Sequence, residues 1–78
     1  MTTVVLDKDF AEDLIRFKLR QIQVEIDSIL IRWNETDARS FLEKARNGRY
    51  RNAENDAIDL HQLIADAESL REKLNEFR

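Results

Sequence analysis

Apolar residues recur along residues 8–33 in two helical stripes rather than one. Ile15, Leu19, Ile22, Ile26, Ile29 and Trp33 are spaced alternately four and three apart, the heptad seam that keeps one side of an α-helix turned toward a partner helix. Phe10, Leu14, Phe17, Val24 and Ile31 form a second stripe on the far side, interrupted by Gln21 and Ser28. Polar strips separate the two: Glu12, Arg16, Arg20, Gln23 and Asp27 along one edge, Lys18, Glu25 and Arg32 along the other. A surface helix needs one apolar face, so this pattern predicts a first helix lying between two packing partners.

Ahead of it, Thr2, Thr3, Val4, Val5 and Leu6 are β-prone, and Asp7 or Asp9 can cap the helix, Asp9 with Glu12 at capping-box spacing. A short strand before a helix resembles the opening of ribbon-helix-helix regulators. Here the periodicity runs unbroken to Trp33 and residues 2–6 carry no basic side chain to read bases. They are expected to be an arm that packs, frays or pairs with a partner strand.

Residues 34–36 end the first helix, with Thr36 or Asn34 as candidate caps for the next. Ala38, Phe41, Leu42 and Ala45 then give a short amphipathic helix over residues 37–46, stopped by Asn47 and Gly48. After the connection Arg49-Tyr50-Arg51-Asn52, with Asn52 as the expected cap, a last helix runs over residues 53–77. Ala53, Ala57, Leu60, Leu63, Ile64, Ala67, Leu70, Leu74 and Phe77 form its one broad face. Arg71 falls within that face and is expected near Asp9, Glu12 and Asp13 of the first helix.

The long helices are of nearly equal length, about 39 and 37 Å at 1.5 Å per residue. The expected fold is therefore all-α: a single helical domain over residues 1–78, a long antiparallel helical hairpin with a short helix inserted at the turn. The last helix can cover only one stripe of the first. Dimerisation into a four-helix-type bundle covers the other, unless the short helix folds over part of it.

Composition narrows the chemistry. At 78 residues a single core leaves little stability, and with no Cys neither disulfides nor thiolate metal sites can supply more, so association is the remaining common route. The absence of Cys fits a cytoplasmic protein. The charge of -3 with 37% charged residues gives a mixed-sign surface rather than a bulk nucleic-acid binder. No run approaches the roughly 18 apolar residues of a membrane span, and no signal segment is evident. The chain reads as soluble and unprocessed, with no membrane contact.

There is one His, on the flank of the last helix, and no phosphate-cradling loop, since the single Gly sits where a helix ends. His61 has neither a nucleophile nor an orienting carboxylate beside it at helical spacing. Asp56 and Asp59 make an i, i+3 acidic pair, but a magnesium-dependent nucleotide hydrolase needs matching pairs on adjacent helices, and charge at the positive helix end explains them as well. No catalytic residue, cofactor or metal is expected. Arg46, Arg49, Tyr50 and Arg51, with Lys44, make the one basic concentration, able to hold an anionic ligand, with arginines on phosphates and Tyr50 stacked on a base.

The expected function is a non-enzymatic protein-protein interaction module: an adaptor, an inhibitor or an antitoxin-like small helical protein. Phe10, Leu14, Phe17, Val24 and Ile31 are its partner or dimer interface, and a homodimer or a heterologous protein is the partner. The alternative is a small nucleic-acid-binding regulator using the basic loop over residues 46–51.

Overall fold

The computed structural model describes residues 7–77; the arm expected over residues 2–6 lies outside them. Over that span the chain is all-helical, with α1 at Lys8–Arg32, α2 at Ala38–Arg46 and α3 at Glu54–Glu76, and no strand among the described residues. No helix among them is long and apolar enough to cross a membrane.

Local hydrogen bonds set the helix ends. Of the two candidate caps of α1, Asp7 holds the position, its carboxylate accepting from the Asp9 N–H at 2.9 Å. At the other end Asn34 takes a left-handed conformation (φ 56°), the Glu35 N–H donates to the Leu30 carbonyl at 2.8 Å and the Asn34 N–H to the Ile31 carbonyl at 3.0 Å. This is a complete Schellman motif with Asn in place of the usual Gly. With Asn34 spent on that turn, α2 is capped by Asp37, which accepts from the Ser40 N–H at 3.2 Å, rather than by Thr36 or Asn34.

Gly48 ends α2 as its position predicts, at φ 81°, with the Arg49 N–H on the Lys44 carbonyl at 2.9 Å. Asn52, the expected cap of α3, is instead a second left-handed turn residue (φ 57°). Ala53 occupies the cap position with no side-chain bond. Ala53 is almost fully buried, so α3 starts where a small side chain fits the core, and Glu54 and Asp56 supply the negative charge its first turn favours.

Ile22, Ile26, Ile29 and Leu30 of α1, Phe41 of α2, and Ala53, Leu60 and Ala67 form one buried cluster. It gathers at the end of the molecule where α2 sits. No side chain over residues 8–21 of α1 is buried; Ile15 and Leu19 are half-buried there, and Leu74 of α3 is buried outside the cluster. Leu30 belongs to neither sequence stripe. It is covered because Ala38 and residues 36–37 lie along that flank of α1, sharing a groove with Leu30.

Arg32 and Trp33 at the end of α1 meet Asp56 in the first turn of α3, and farther along Gln23 and Asp27 share a groove with Ala67 and Arg71. Arg71 therefore lies beside the middle of α1 rather than near Asp9, Glu12 and Asp13. Helical side chains lean toward the start of their own helix, which carries the Arg71 head toward α2 and away from the start of α1. Glu12 is instead flanked by Lys8 and Arg16 of its own helix, at 4.0 and 3.6 Å.

Candidate interaction surface

Two carboxylates fasten the α2 end and decide which polar groups remain available there. Trp33 closes the apolar seam of α1, and its indole N–H donates to Asp56 Oδ2 at 2.8 Å; the Arg32 guanidinium donates to the same oxygen at 2.8 Å. The Trp33 bond, then Arg32, hold the Asp56 carboxyl below the usual aspartate range, against a partial burial that acts the other way. Across the turn, Lys44 Nζ reaches Glu35 Oε1 at 2.6 Å, and the Tyr50 hydroxyl donates to the same oxygen. Only 9% of the Glu35 side chain is exposed.

The Lys44 bond first and the Tyr50 bond second lower the Glu35 carboxyl; the same bonds raise the Lys44 ammonium and the Tyr50 phenol, the latter also by burial. Between the carboxylates the rings of Trp33, Phe41 and Tyr50 meet with centroids 5.1 to 5.9 Å apart, distances at which aromatic pairs attract. These contacts close the chain around Phe41, which is fully buried.

The basic loop is thereby divided. Tyr50 is half-buried among the rings with its hydroxyl on Glu35, and Lys44 is drawn to the same acid. Arg46, Arg49 and Arg51 stay exposed, and none forms an ion pair among the described residues. Arg46 lines an open groove of about 670 Å³ between α2 and α3, floored by Leu42, Ala45, Ala57 and Ile64. Ile58, left off the apolar face in the sequence, stands 65% exposed at that groove, and His61 lines it as well. Asp56 is committed to Trp33 and Arg32, while Asp59 shares a shallow groove with Glu25, Arg32 and Gln62. Among the described residues no three His, Asp or Glu side chains gather as a metal-binding group.

The second stripe of α1 is open along its length. Phe10 is 52% exposed, Leu14 49%, Phe17 53%, Val24 68% and Ile31 76%. The polar groups along its edges stay exposed too, apart from the half-buried Glu12, and the Arg20 guanidinium lies 6.0 Å from the Phe17 ring centroid. At about 100° per residue this stripe is centred roughly 155° from the face that meets α3, so neither α2 nor α3 can reach it. Its apolar area is on the order of 500 Å², taking two half-exposed aromatics and three aliphatic side chains, the size at which an apolar patch marks a contact surface.

The sequence located this stripe but not the two carboxylate anchors. The signal for Asp56 was an indole N–H at the end of a buried seam, a donor that needs an acceptor when buried, with an acid in the first turn of the next long helix. Comparison with known protein families, with characterised proteins and with solved structures finds no match, so the functional reading rests on this chain's own surfaces.

Proposed function

We propose that this protein is a non-enzymatic protein-protein interaction module, of the adaptor, inhibitor or antitoxin-like kind. It is built as a long antiparallel helical hairpin with α2 at its turn and works by covering the outer face of α1 with another helix, in a dimer or against a different protein. The observation that carries this is the exposure of all five residues Phe10, Leu14, Phe17, Val24 and Ile31 along one side of a helix whose other side is in the core. Burying about 500 Å² of apolar surface at roughly 25 cal/mol per Å² gives about 12 kcal/mol before the costs of association are subtracted. The carboxylates that are strongly engaged, Glu35 and Asp56, hold the turn together.

The test is binding of the full chain to labelled amphipathic helical peptides, among them one of residues 8–33, by wild type and by Phe17→Asp/Val24→Asp. Both positions are exposed, so the variant keeps its fold by circular dichroism. Micromolar binding by wild type and its loss in the variant is the expected result. Equal behaviour of the two proteins removes the outer face of α1 from the reading.

Nucleic-acid binding is the second reading, supported by the exposure of Arg46, Arg49 and Arg51. It predicts a salt-dependent shift with DNA or RNA that disappears in Arg49→Ala/Arg51→Ala. Tyr50 adds little to it, being held by Glu35 and the two neighbouring rings.

A further inference from the structure

We propose that the outer face of α1 is covered by a second copy of this chain, docked antiparallel about a twofold axis between Ile22 and Gln23, with Lys18 facing the partner's Glu25 and Arg20 facing the partner's Asp27. The proposal rests on the reading of that face as a docking surface and names its occupant.

Phe10, Phe17, Val24 and Ile31 recur at intervals of seven, with Leu14, Gln21 and Ser28 four residues after the first three. A strict seven-residue repeat slips about 20° per heptad around a straight helix and stays on one seam only when the helix supercoils around another. The occupant is therefore a helix. Along the edges the charge changes sign at every heptad: Lys18, Glu25 and Arg32 on one, Asp13, Arg20 and Asp27 on the other.

An antiparallel self-pairing sets each edge against its own reverse. Centred between residues 22 and 23, it makes two Lys18–Glu25 and two Arg20–Asp27 contacts. Moved one heptad either way, it sets Lys18 on Lys18 and Arg20 on Arg20, or Glu25 on Glu25 and Asp27 on Asp27. Like charges thus exclude the neighbouring registers. None of these four residues forms an ion pair within its own chain among the described residues; Asp27 accepts only from Gln23.

The layers match in size as well. Leu14 faces the partner's Ile31 and Gln21 the partner's Val24, side chains of similar size, while Phe17 faces the partner's Ser28, large against small. A hollow of about 340 Å³ lined by Phe17, Arg20, Gln21 and Val24, with Glu25 at its side, lies at the axis and receives the partner's Val24 as a knob in its hole. A parallel pair also joins opposite charges, but it draws on Arg32, which Asp56 already holds at 2.8 Å, and it stacks Phe17 on Phe17 and Ser28 on Ser28. The antiparallel pair sets Arg32 against the partner's Ala11 and leaves its bond to Asp56 intact. In this register Phe10 lies beyond the partner's Ile31, so each chain buries about 400 Å² of apolar surface, and the edge residues Lys18, Arg20, Glu25 and Asp27 bring the total to the roughly 1,000 Å² of a specific interface. Because the outer face lies nearly opposite α3, the dimer is a row of four long helices.

The experiment is sedimentation equilibrium at low salt over a hundredfold concentration range with wild type, Lys18→Glu, Glu25→Lys and the charge-swapped double variant. Wild type is expected to dimerise, each single variant to raise the dissociation constant about tenfold, since two attractive contacts become repulsive, and the swap to return it to within about twofold of wild type. In a parallel dimer the swap instead sets the acid at position 18 against the partner's Asp13 and the base at position 25 against the partner's Arg20, so it binds no better than the singles; that result overturns the proposal.

Orientation is read a second time by oxidative cross-linking, since the chain has no Cys of its own. Leu14→Cys/Ile31→Cys is expected to form a disulfide-linked dimer, and Ile31→Cys alone to form none, because its two copies stand about 25 Å apart. A cross-linked Ile31→Cys dimer overturns the proposal. So does a dimer indifferent to Phe17→Asp, or a wild-type monomer at every concentration. A monomer whose helical-peptide binding is still lost in Phe17→Asp/Val24→Asp refutes self-association alone and leaves the docking surface standing.

Discussion

Removing the Asp56 carboxylate tests whether the junction between α1 and α3 is held as the structure has it. In Asp56→Ala the Trp33 indole N–H loses its acceptor. Trp33 is half-buried and water partly replaces the bond, so the loss is about 1 kcal/mol, the low end for an orphaned donor. The Arg32 side chain is 58% exposed, which limits that ion pair to about 0.5 kcal/mol, and loss of a negative charge from the first turn of α3 adds about 0.5 kcal/mol. The total is about 2 kcal/mol, a fall in Tm of about 8–16 °C for a domain of this size. Asp56→Asn keeps an oxygen for Trp33 and loses only the charge, about 1 kcal/mol or 4–8 °C. Thermal unfolding followed by the fluorescence of Trp33, the one Trp of the chain, and by far-UV circular dichroism measures both. An Asp56→Ala protein melting within about 2 °C of wild type, or an Asp56→Asn protein falling as far as the Ala variant, refutes the account of the bond.

Phe41→Ala empties the fully buried site where α2 meets Trp33 and Tyr50; a loss of about 3–5 kcal/mol takes most of the stability available to a chain this short, and flat, non-cooperative thermal melts are expected, whereas a cooperative melt within about 5 °C of wild type contradicts the placement of the core. Stability is also pH-dependent at both extremes. Glu35 and Asp56 have folded-state values below their unfolded ones, so their contribution is fully present above about pH 4.5 and is lost as pH falls through the lowered values. Tyr50 and Lys44 are raised, so theirs is fully present below about pH 10 and is lost as pH rises through the raised values. Urea midpoints across pH trace both limbs: Asp56→Asn is expected to shallow the acid limb and Tyr50→Phe the alkaline one, and unchanged limbs in these variants exclude the assignments.

The sequence carried the elements well because their determinants are local. Helices expected over residues 8–33, 37–46 and 53–77 appear at Lys8–Arg32, Ala38–Arg46 and Glu54–Glu76, since apolar period, Gly48 and acidic first turns all act within a few residues. Caps were read less well: Asn34 and Asn52 can serve as cap or as left-handed turn, and the course of the chain on either side selects the turn at both. Burial within the seam was less legible again. Ile22, Ile26 and Ile29 are in the core while Ile15 and Leu19 of the same stripe are half exposed, because α2 thickens only one end. The Glu35 and Asp56 anchors bring together residues up to 24 positions apart, and no periodicity encodes such a pairing. The outer stripe was fully legible, being defined by what a single helix repeats.

That one-ended core makes α1 a helix of two fates. Its second half is clamped between Phe41 and Leu60, while residues 8–21 have no buried side chain of their own. Amide protons in the second half are expected to exchange with solvent only when the whole domain opens, and those near Phe10 and Leu14 through local openings that leave the core intact. A partner that closes over the outer face is expected to suppress those local openings as well. Occupancy is then expected to slow deuterium uptake at the start of α1, and also at the amides beside Phe41, because a partner that binds only the folded chain makes the global opening rarer.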